Sequence, residues 1–384
     1  MPHQPDQARI VFLFSDTGGG HRSAASAIIE ALELEFPNQV ACEMIDIFRQ
    51  YAPPPLHMAP EIYPPLSRMP EVWELGYKVS DDARRVRIFY NAIWPYVRAS
   101  AHRLVRENPA DLIVSVHSLV NAPMLRALRK KQPHIPFITV VTDMVSTHAA
   151  WYDPRADLTI VPTEAARQRG LKLGLLPEQI RVVGLPVADR FCREAGNRQA
   201  LRQQLGWPPD LPVILLVGGG EGMGPLEDVA DAINHSGLRA ALVIVAGRNK
   251  QLKSRLEKVD WNLPAIIYGY VQEMPDFMRA ADVLVTKAGP GTISEAFIAK
   301  LPIILFSRLP GQEEGNVTYV THEGAGAWAP EPGLVVETLR CWLADPAQLR
   351  QVIEACSRLA RPHAAREIAR ILIHWAKDRR SIRR

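Results

Sequence analysis

The sequence predicts an α/β chain of two doubly wound domains facing each other across a cleft. Short β-rich apolar runs alternate with helix-like segments along nearly the whole chain. The runs fall into two series, separated by a polar, charged stretch around residues 190–202. Glycine-rich turns stand directly after several runs, where a strand hands over to a helix.

The first series covers residues 10–14, 112–116, 137–142, 158–161 and 180–183, and the second covers 213–217, 241–246, 266–268, 283–286 and 303–306. Near-continuous apolar character in each run is the mark of a parallel sheet covered on both faces. The expected division is a first domain over 1–190, a second over 191–362, and an amphipathic helix with a basic tail over 363–384 that packs back on the first. A chain of 384 residues, 47% hydrophobic and 22% charged, is long enough for two such cores.

Two segments break the alternation. Residues 53–70 hold seven prolines and are expected to form an irregular loop. Residues 80–107 then read as a helix interrupted by Pro95, with Val86, Phe89, Tyr90, Ile93, Val97, Leu104 and Val105 at helical spacing. Its other faces are basic through Arg84, Arg85, Arg87 and Arg98, with Trp73 and Trp94 supplying amphipathic rings. Such a surface suits an anionic bilayer interface or a solvated helix packed on the first sheet, and both hold if different faces are used.

Composition narrows the function. A net charge of +4 over 45 basic and 41 acidic residues argues against nucleic acid as a partner. Cys42, Cys192, Cys341 and Cys356 have no metal spacing, so no metal site is expected, and a reducing compartment is the simplest expectation. The beginning of the chain lacks the features of a secretion signal, and no apolar stretch reaches the roughly 20 residues of a membrane span, so membrane contact is expected to be peripheral.

The chemistry is expected at strand ends. Residues 15–21, SDTGGGH, follow the first run and open a helix, so Gly19 and Gly20 allow close ligand approach. His21 at that mouth is suited to take a proton from an attacking hydroxyl. Thr142, Asp143 and His148 follow another strand to the same sheet edge, with Trp151 just beyond. Asp143 there either orients His21 or binds the acceptor. In the second domain, GGGEG at 218–222 and KAGPGT at 287–292 repeat the device. The second precedes a helix starting near Thr292 or Ile293, whose N–H groups suit a diphosphate, with Glu295 in its first turn to accept from ribose hydroxyls. Gln312, Glu313 and Asn316, in a polar run after the next strand, suit the hydroxyls of a hexose. No GxxxxGK[ST] occurs, so a P-loop nucleotidase is not a match.

With SDTGGGH, VTDM at 141–144, VVGLPV at 182–187, TKAGPGTISEA at 286–296 and PGQEEGN at 310–316, the chain resembles the monogalactosyldiacylglycerol synthases and related processive diacylglycerol glucosyltransferases. More distantly it is similar to the peptidoglycan lipid-intermediate N-acetylglucosaminyltransferase. The resemblance implies a GT-B fold of two Rossmann-like domains and inverting transfer of a hexose from UDP-galactose or UDP-glucose to diacylglycerol, with galactose favoured by KAGPGT. It implies no cofactor and a place on the cytoplasmic face of a membrane; organelle targeting does not transfer from the plant members. His21 is then the general base, Glu295 binds ribose, Gln312 and Glu313 bind the hexose, and the backbone near Tyr270 and Val271 reads uracil. Gly219, Gly220, Gly291 and Thr292 lie along the diphosphate. Competing readings are a UDP-glucose enzyme that adds a second sugar, a sugar-nucleotide epimerase, and a binding protein without turnover.

Overall fold

The structure, a computed structural model, describes residues 7–16, 19–62, 69–193, 196–222 and 224–383, with the side chains of 70 and 379–383 outside that description. The chain divides into two compact units: Met1–Asp189 with Pro310–Gln312 and His363–Arg384, and Arg190–Leu309 with Glu313–Pro362.

The first unit holds a six-stranded parallel sheet of β1 (Ala8–Phe14), β2 (Val40–Asp46), β3 (Leu112–Ser115), β4 (Phe137–Val140), β5 (Leu158–Val161) and β6 (Ile180–Val182), in the order β2-β1-β3-β4-β5-β6. Strand period 2 divides β1 between two cores. Ile10, Phe12 and Phe14 face helices Gly20–Glu35 and Ala364–Arg383, while Val11 and Leu13 face helices Ala83–Glu107 and Ser118–Lys131. Ile368, Ile371 and Leu372 sit in the former core, so the last helix is a docked element of this unit. The basic tail at Arg379, Arg380, Arg383 and Arg384 lies outside the described side chains.

The second unit repeats the plan with β7 (Val213–Val217), β8 (Ala241–Val245), β9 (Ala265–Tyr268), β10 (Val283–Lys287), β11 (Ile303–Ser307) and β12 (Gly326–Trp328), ordered β12-β11-β10-β7-β8-β9. Two edge strands, β2 and β12, escaped the sequence reading. β2 is only partly buried except at its last two residues, and β12 is three half-buried residues long, so neither shows an apolar run.

Three expectations change in the proline-rich region. The span 53–70 is not wholly irregular: Leu56–Met58 forms a 3₁₀ turn and Pro70 is the first residue of a helix, Pro70–Ser80, where a missing N–H costs nothing. Residues 63–68, with Pro64 and Pro65, lie outside the described residues. The following helix starts at Ala83, capped by Asp82 accepting from the Arg85 N–H, and runs through Pro95 without a break. Its apolar stripe is buried only from Val97 onward, whereas Phe89 is 53% exposed.

Candidate functional site

Each sheet has one point where strand order reverses, between β1 and β3 in the first and between β7 and β10 in the second. Ligands of doubly wound sheets bind outside the strand ends at this point, because the flanking loops diverge there. The motifs converge on these two places.

In the first unit, Gly19 takes the left-handed conformation (φ 78°) that a strand-to-helix turn needs, and His21 becomes the second residue of helix Gly20–Glu35. Thr17 and Gly18 lie outside the described residues. A Cβ placed on Gly19 or Gly20 would meet nothing within 4 Å, so the loop has open space beside its backbone. His21 Nδ1 and Thr142 Oγ1 share a hydrogen bond of 2.9 Å. The His21 ring packs on His117, which follows β3, with centroids 4.5 Å apart, and on Trp151 at 6.2 Å. Burial lowers the His21 pKa to about 4, opposed by a hydrogen bond with the Val116 backbone. His117 is pushed well below its ordinary value by burial and by His21 itself. The pair is held neutral, as a proton acceptor must be.

Asp143 is buried, and its Oδ2 accepts from the Trp151 indole at 2.7 Å. Residues Pro310–Gln312 group with this unit, where Gln312 Nε2 donates to Asp143 Oδ1 at 3.0 Å. Thr142 is thus hydrogen-bonded to His21, and Asp143 to the Trp151 indole. Trp151, expected on the acceptor and membrane side, is instead 0% exposed, with its indole committed to Asp143. His148 Nδ1 accepts from the Ala150 N–H and its Nε2 lies 3.1 Å from Ser80 Oγ, so this ring braces helix Pro70–Ser80. Beside it, Arg169 grips Asp81 through both carboxylate oxygens at 2.6 Å, and Asp81 accepts from the Ala149 N–H.

The helical region carries the other acceptor-side residues. Arg84 and Arg85 are exposed, and Arg85 also donates to the Val79 carbonyl, joining the two helices. Trp73 is half-buried. Trp94 packs against the core under the guanidinium of Arg126, 4.5 Å from its ring centre, so its indole is largely committed to the fold. Among the described residues, ten of the sixteen exposed large hydrophobic side chains fall between Leu56 and Tyr96. Val72, Leu75 and Val79 line one exposed helix face, with Leu75 66% exposed. Such concentration marks an interaction surface.

In the second unit, the glycine loop after β7 is locked by close backbone approach. A Cβ on Gly222 would lie 2.4 Å from the Ala246 carbonyl, and one on Gly247 2.4 Å from that of Gly220. Gly219 takes φ 73°, and Gly220 accepts from the Arg248 N–H through its carbonyl. Arg248 stacks on the exposed Tyr270 ring at 4.7 Å, next to the half-buried Val271. After β10, helix Pro290–Ile298 begins at Pro290, earlier than the sequence suggested, with no side-chain cap. Gly291 and Thr292 are thus its second and third residues, and a Cβ on Gly291 would meet open space. Glu295 consequently sits in the second turn rather than the first. Burial raises its pKa to about 8, opposed by Arg190.

Lys287, which the sequence marks only as part of its motif, joins the two glycine loops. Its Nζ donates to Glu313 Oε1 at 2.6 Å and would lie 3.2 Å from a Cβ on Gly289. Its side chain also runs alongside Gly219. The buried Glu313 carboxylate is thereby engaged by Lys287 and by the Leu309 N–H at 2.7 Å. Asn316 Nδ2 donates to the Ala288 carbonyl, so this amide supports the loop from beneath. A lysine opening a glycine loop was the available signal; its partner 26 residues later was not.

Comparisons with known proteins identify the family and the fold. Residues 21–187 match the family model of monogalactosyldiacylglycerol (MGDG) synthase, and 213–365 match the glycosyltransferase family 28 C-terminal domain. A probable chloroplastic monogalactosyldiacylglycerol synthase 2 of Oryza sativa subsp. indica is 37% identical, over 94% of this chain and 79% of the rice protein. The chloroplastic monogalactosyldiacylglycerol synthase of Spinacia oleracea is 34% identical over 98% and 74%. Among solved structures, Acinetobacter baumannii MurG aligns at TM-score 0.59 and 16% identity, covering 95% of this chain and 99% of MurG. S. aureus MnaA with UDP aligns at 0.62 and 17%, covering 94% and 95%. These structures share the GT-B fold with the chain.

Proposed function

The chain belongs to the monogalactosyldiacylglycerol synthase family, and from that premise we propose that it transfers galactose from UDP-galactose to the free hydroxyl of diacylglycerol with inversion. The observation that supports this is that each unit carries its own device at its switch point: a neutral, hydroxyl-bonded imidazole in the first and an uncapped helix start beside a lysine in the second.

In the proposed reaction, the acceptor hydroxyl approaches His21 across the open backbone of Gly19 and Gly20. Its oxygen forms a bond to the anomeric carbon as the bond from that carbon to the β-phosphate oxygen breaks. The proton passes to the imidazole, and the electron pair leaves on UDP. Displacement from the face opposite the nucleotide turns an α-linked donor into a β-linked product. Low basicity of His21 ensures that it is unprotonated when the acceptor arrives, and the negative charge of the departing diphosphate favours the imidazolium that forms. Lys287 and the first N–H groups of helix Pro290–Ile298 meet the leaving charge. This reading assigns no step to a metal ion. The exposed apolar and arginine-bearing helices support a peripheral position on an anionic membrane, where a diacylglycerol acceptor would reside.

The test is UDP release by the purified protein with diacylglycerol in anionic vesicles, each donor offered separately and the anomeric configuration of the lipid product read by NMR. Lipid-dependent release with UDP-galactose and a β product is expected. Release with UDP-glucose alone, or an α product, overturns the assignment.

A further inference from the structure

We propose that the pocket enclosed by helices Ile47–Tyr51, Ala83–Glu107 and Ser118–Lys131 of the first unit receives one acyl chain of the lipid acceptor and sets the chain length the enzyme prefers. The proposal rests on the lipid-acceptor reading above and adds a site that this reading does not assign.

The pocket has a volume of about 150 Å³ and is lined by aliphatic and aromatic side chains, with Ser100 the only aliphatic hydroxyl among the described residues. Two tyrosines line it, but their hydroxyl groups are used elsewhere: Tyr51 accepts from Asn108 at 2.9 Å and Tyr90 donates to the Leu119 carbonyl at 3.1 Å. Among the described residues, no charged one lines it. A cavity of this size and lining favours a small apolar group over water. It is too small for a whole lipid and suits a segment of one chain.

Its position names the occupant. At one side, Leu56, Phe89 and Leu119 are 36%, 53% and 47% exposed, so the pocket opens on the apolar helical surface flanked by Arg84 and Arg85. At the other, Phe48 packs edge-on against His117 at 5.6 Å, and His117 packs on His21. The pocket thus runs from the proposed membrane face to within two ring contacts of the proposed base. A molecule with a hydroxyl at His21 and an uncharged hydrocarbon tail matches both ends. Charge is sorted accordingly: arginines lie on the outer face, and the lining is neutral.

The test uses diacylglycerols of long and short acyl chain in the same nonionic micelles, so that interfacial binding is common to both. Ser100, half-buried on the lining, is changed to Trp to shorten the pocket. Each methylene excluded is worth about fourfold in affinity, so the ratio of kcat/KM for long over short chains should fall about tenfold to fiftyfold. In parallel, a diacylglycerol carrying a diazirine at the end of one chain is photolysed on the wild-type protein and the crosslinks mapped by mass spectrometry. Labels on Ile93, Val97 or Met124 support the pocket; labels confined elsewhere, or an unchanged ratio in folded Ser100→Trp, overturn it. If neither diacylglycerol is turned over, the reaction assignment fails, and the crosslink still decides whether the pocket holds an acyl chain.

Discussion

Helices Gly20–Glu35 and Pro290–Ile298 are two uses of one device. Each follows a strand at the switch point of a parallel sheet, each has glycine at its N-cap, and neither N-terminus is capped by a side chain. They differ in the polar residue beside the glycines. At the first helix it is His21, packed between His117 and Trp151 and stripped of its charge by burial. At the second it is Lys287, ion-paired with Glu313. The N-cap glycines differ in conformation, left-handed at Gly19 and extended at Gly289, yet both leave a helix start with its partial positive charge, which the proposed reaction uses for proton uptake in one place and anion holding in the other. The neighbouring side chains decide which.

The largest effect should come from removing the imidazole. His21→Ala is expected to lower kcat by about 10²–10⁴-fold, the usual worth of a positioned base, while UDP affinity measured by calorimetry stays within about twofold. Loss of UDP affinity instead would show that the two helix starts share one function. Lys287→Met should do the opposite, weakening UDP binding by about 10- to 100-fold, the range of a charge-assisted hydrogen bond. Because this strands the buried Glu313 carboxylate, Lys287→Met with Glu313→Gln should melt higher than Lys287→Met alone.

Acid should separate the two sites next. The folded state holds His21 near pKa 4 against 6.5 when unfolded, so the unfolded chain binds more protons between those values. Stability therefore falls as pH drops from 6.5 towards 4, with His21 contributing about 3 kcal/mol over that range, and His117 acting in the same direction. The acid limb of kcat/KM should lie well below pH 6.5. A limb at 6.5 would contradict a buried base.

The smallest changes are Gly20→Ala and Gly291→Ala. Both positions are helical with open space around the new methyl, so each should leave stability unchanged or raise it by up to about 1 kcal/mol. Each methyl would nonetheless stand where a ligand must approach the backbone. Gly20→Ala should raise the acceptor KM and Gly291→Ala the donor KM, a separation that steady-state kinetics would read directly.

Much of this was legible in the amino-acid order. The central strands announce themselves because a strand buried on both faces is apolar at every position, as in the Val213–Val217 segment VILLV. The glycine loops are equally visible, since few other residues meet their backbone demands. Edge strands β2 and β12 were hidden because they need no continuous apolar run, and helix Pro70–Ser80 because its proline stands at a start rather than an interruption.

The sequence by itself determined the α/β class, the two series of strands, and which loops carry glycine, histidine and lysine, all of which follow from local periodicity and backbone chemistry. The partners come from tertiary packing alone: Thr142 on His21, Trp151 buried against Asp143, His117 from a strand almost 100 residues away, and Glu313 on Lys287. Those pairings depend on strand order, which parallel crossovers set through long-range packing. The same packing shields the half-buried His21 from water and so gives an ordinary histidine its low pKa.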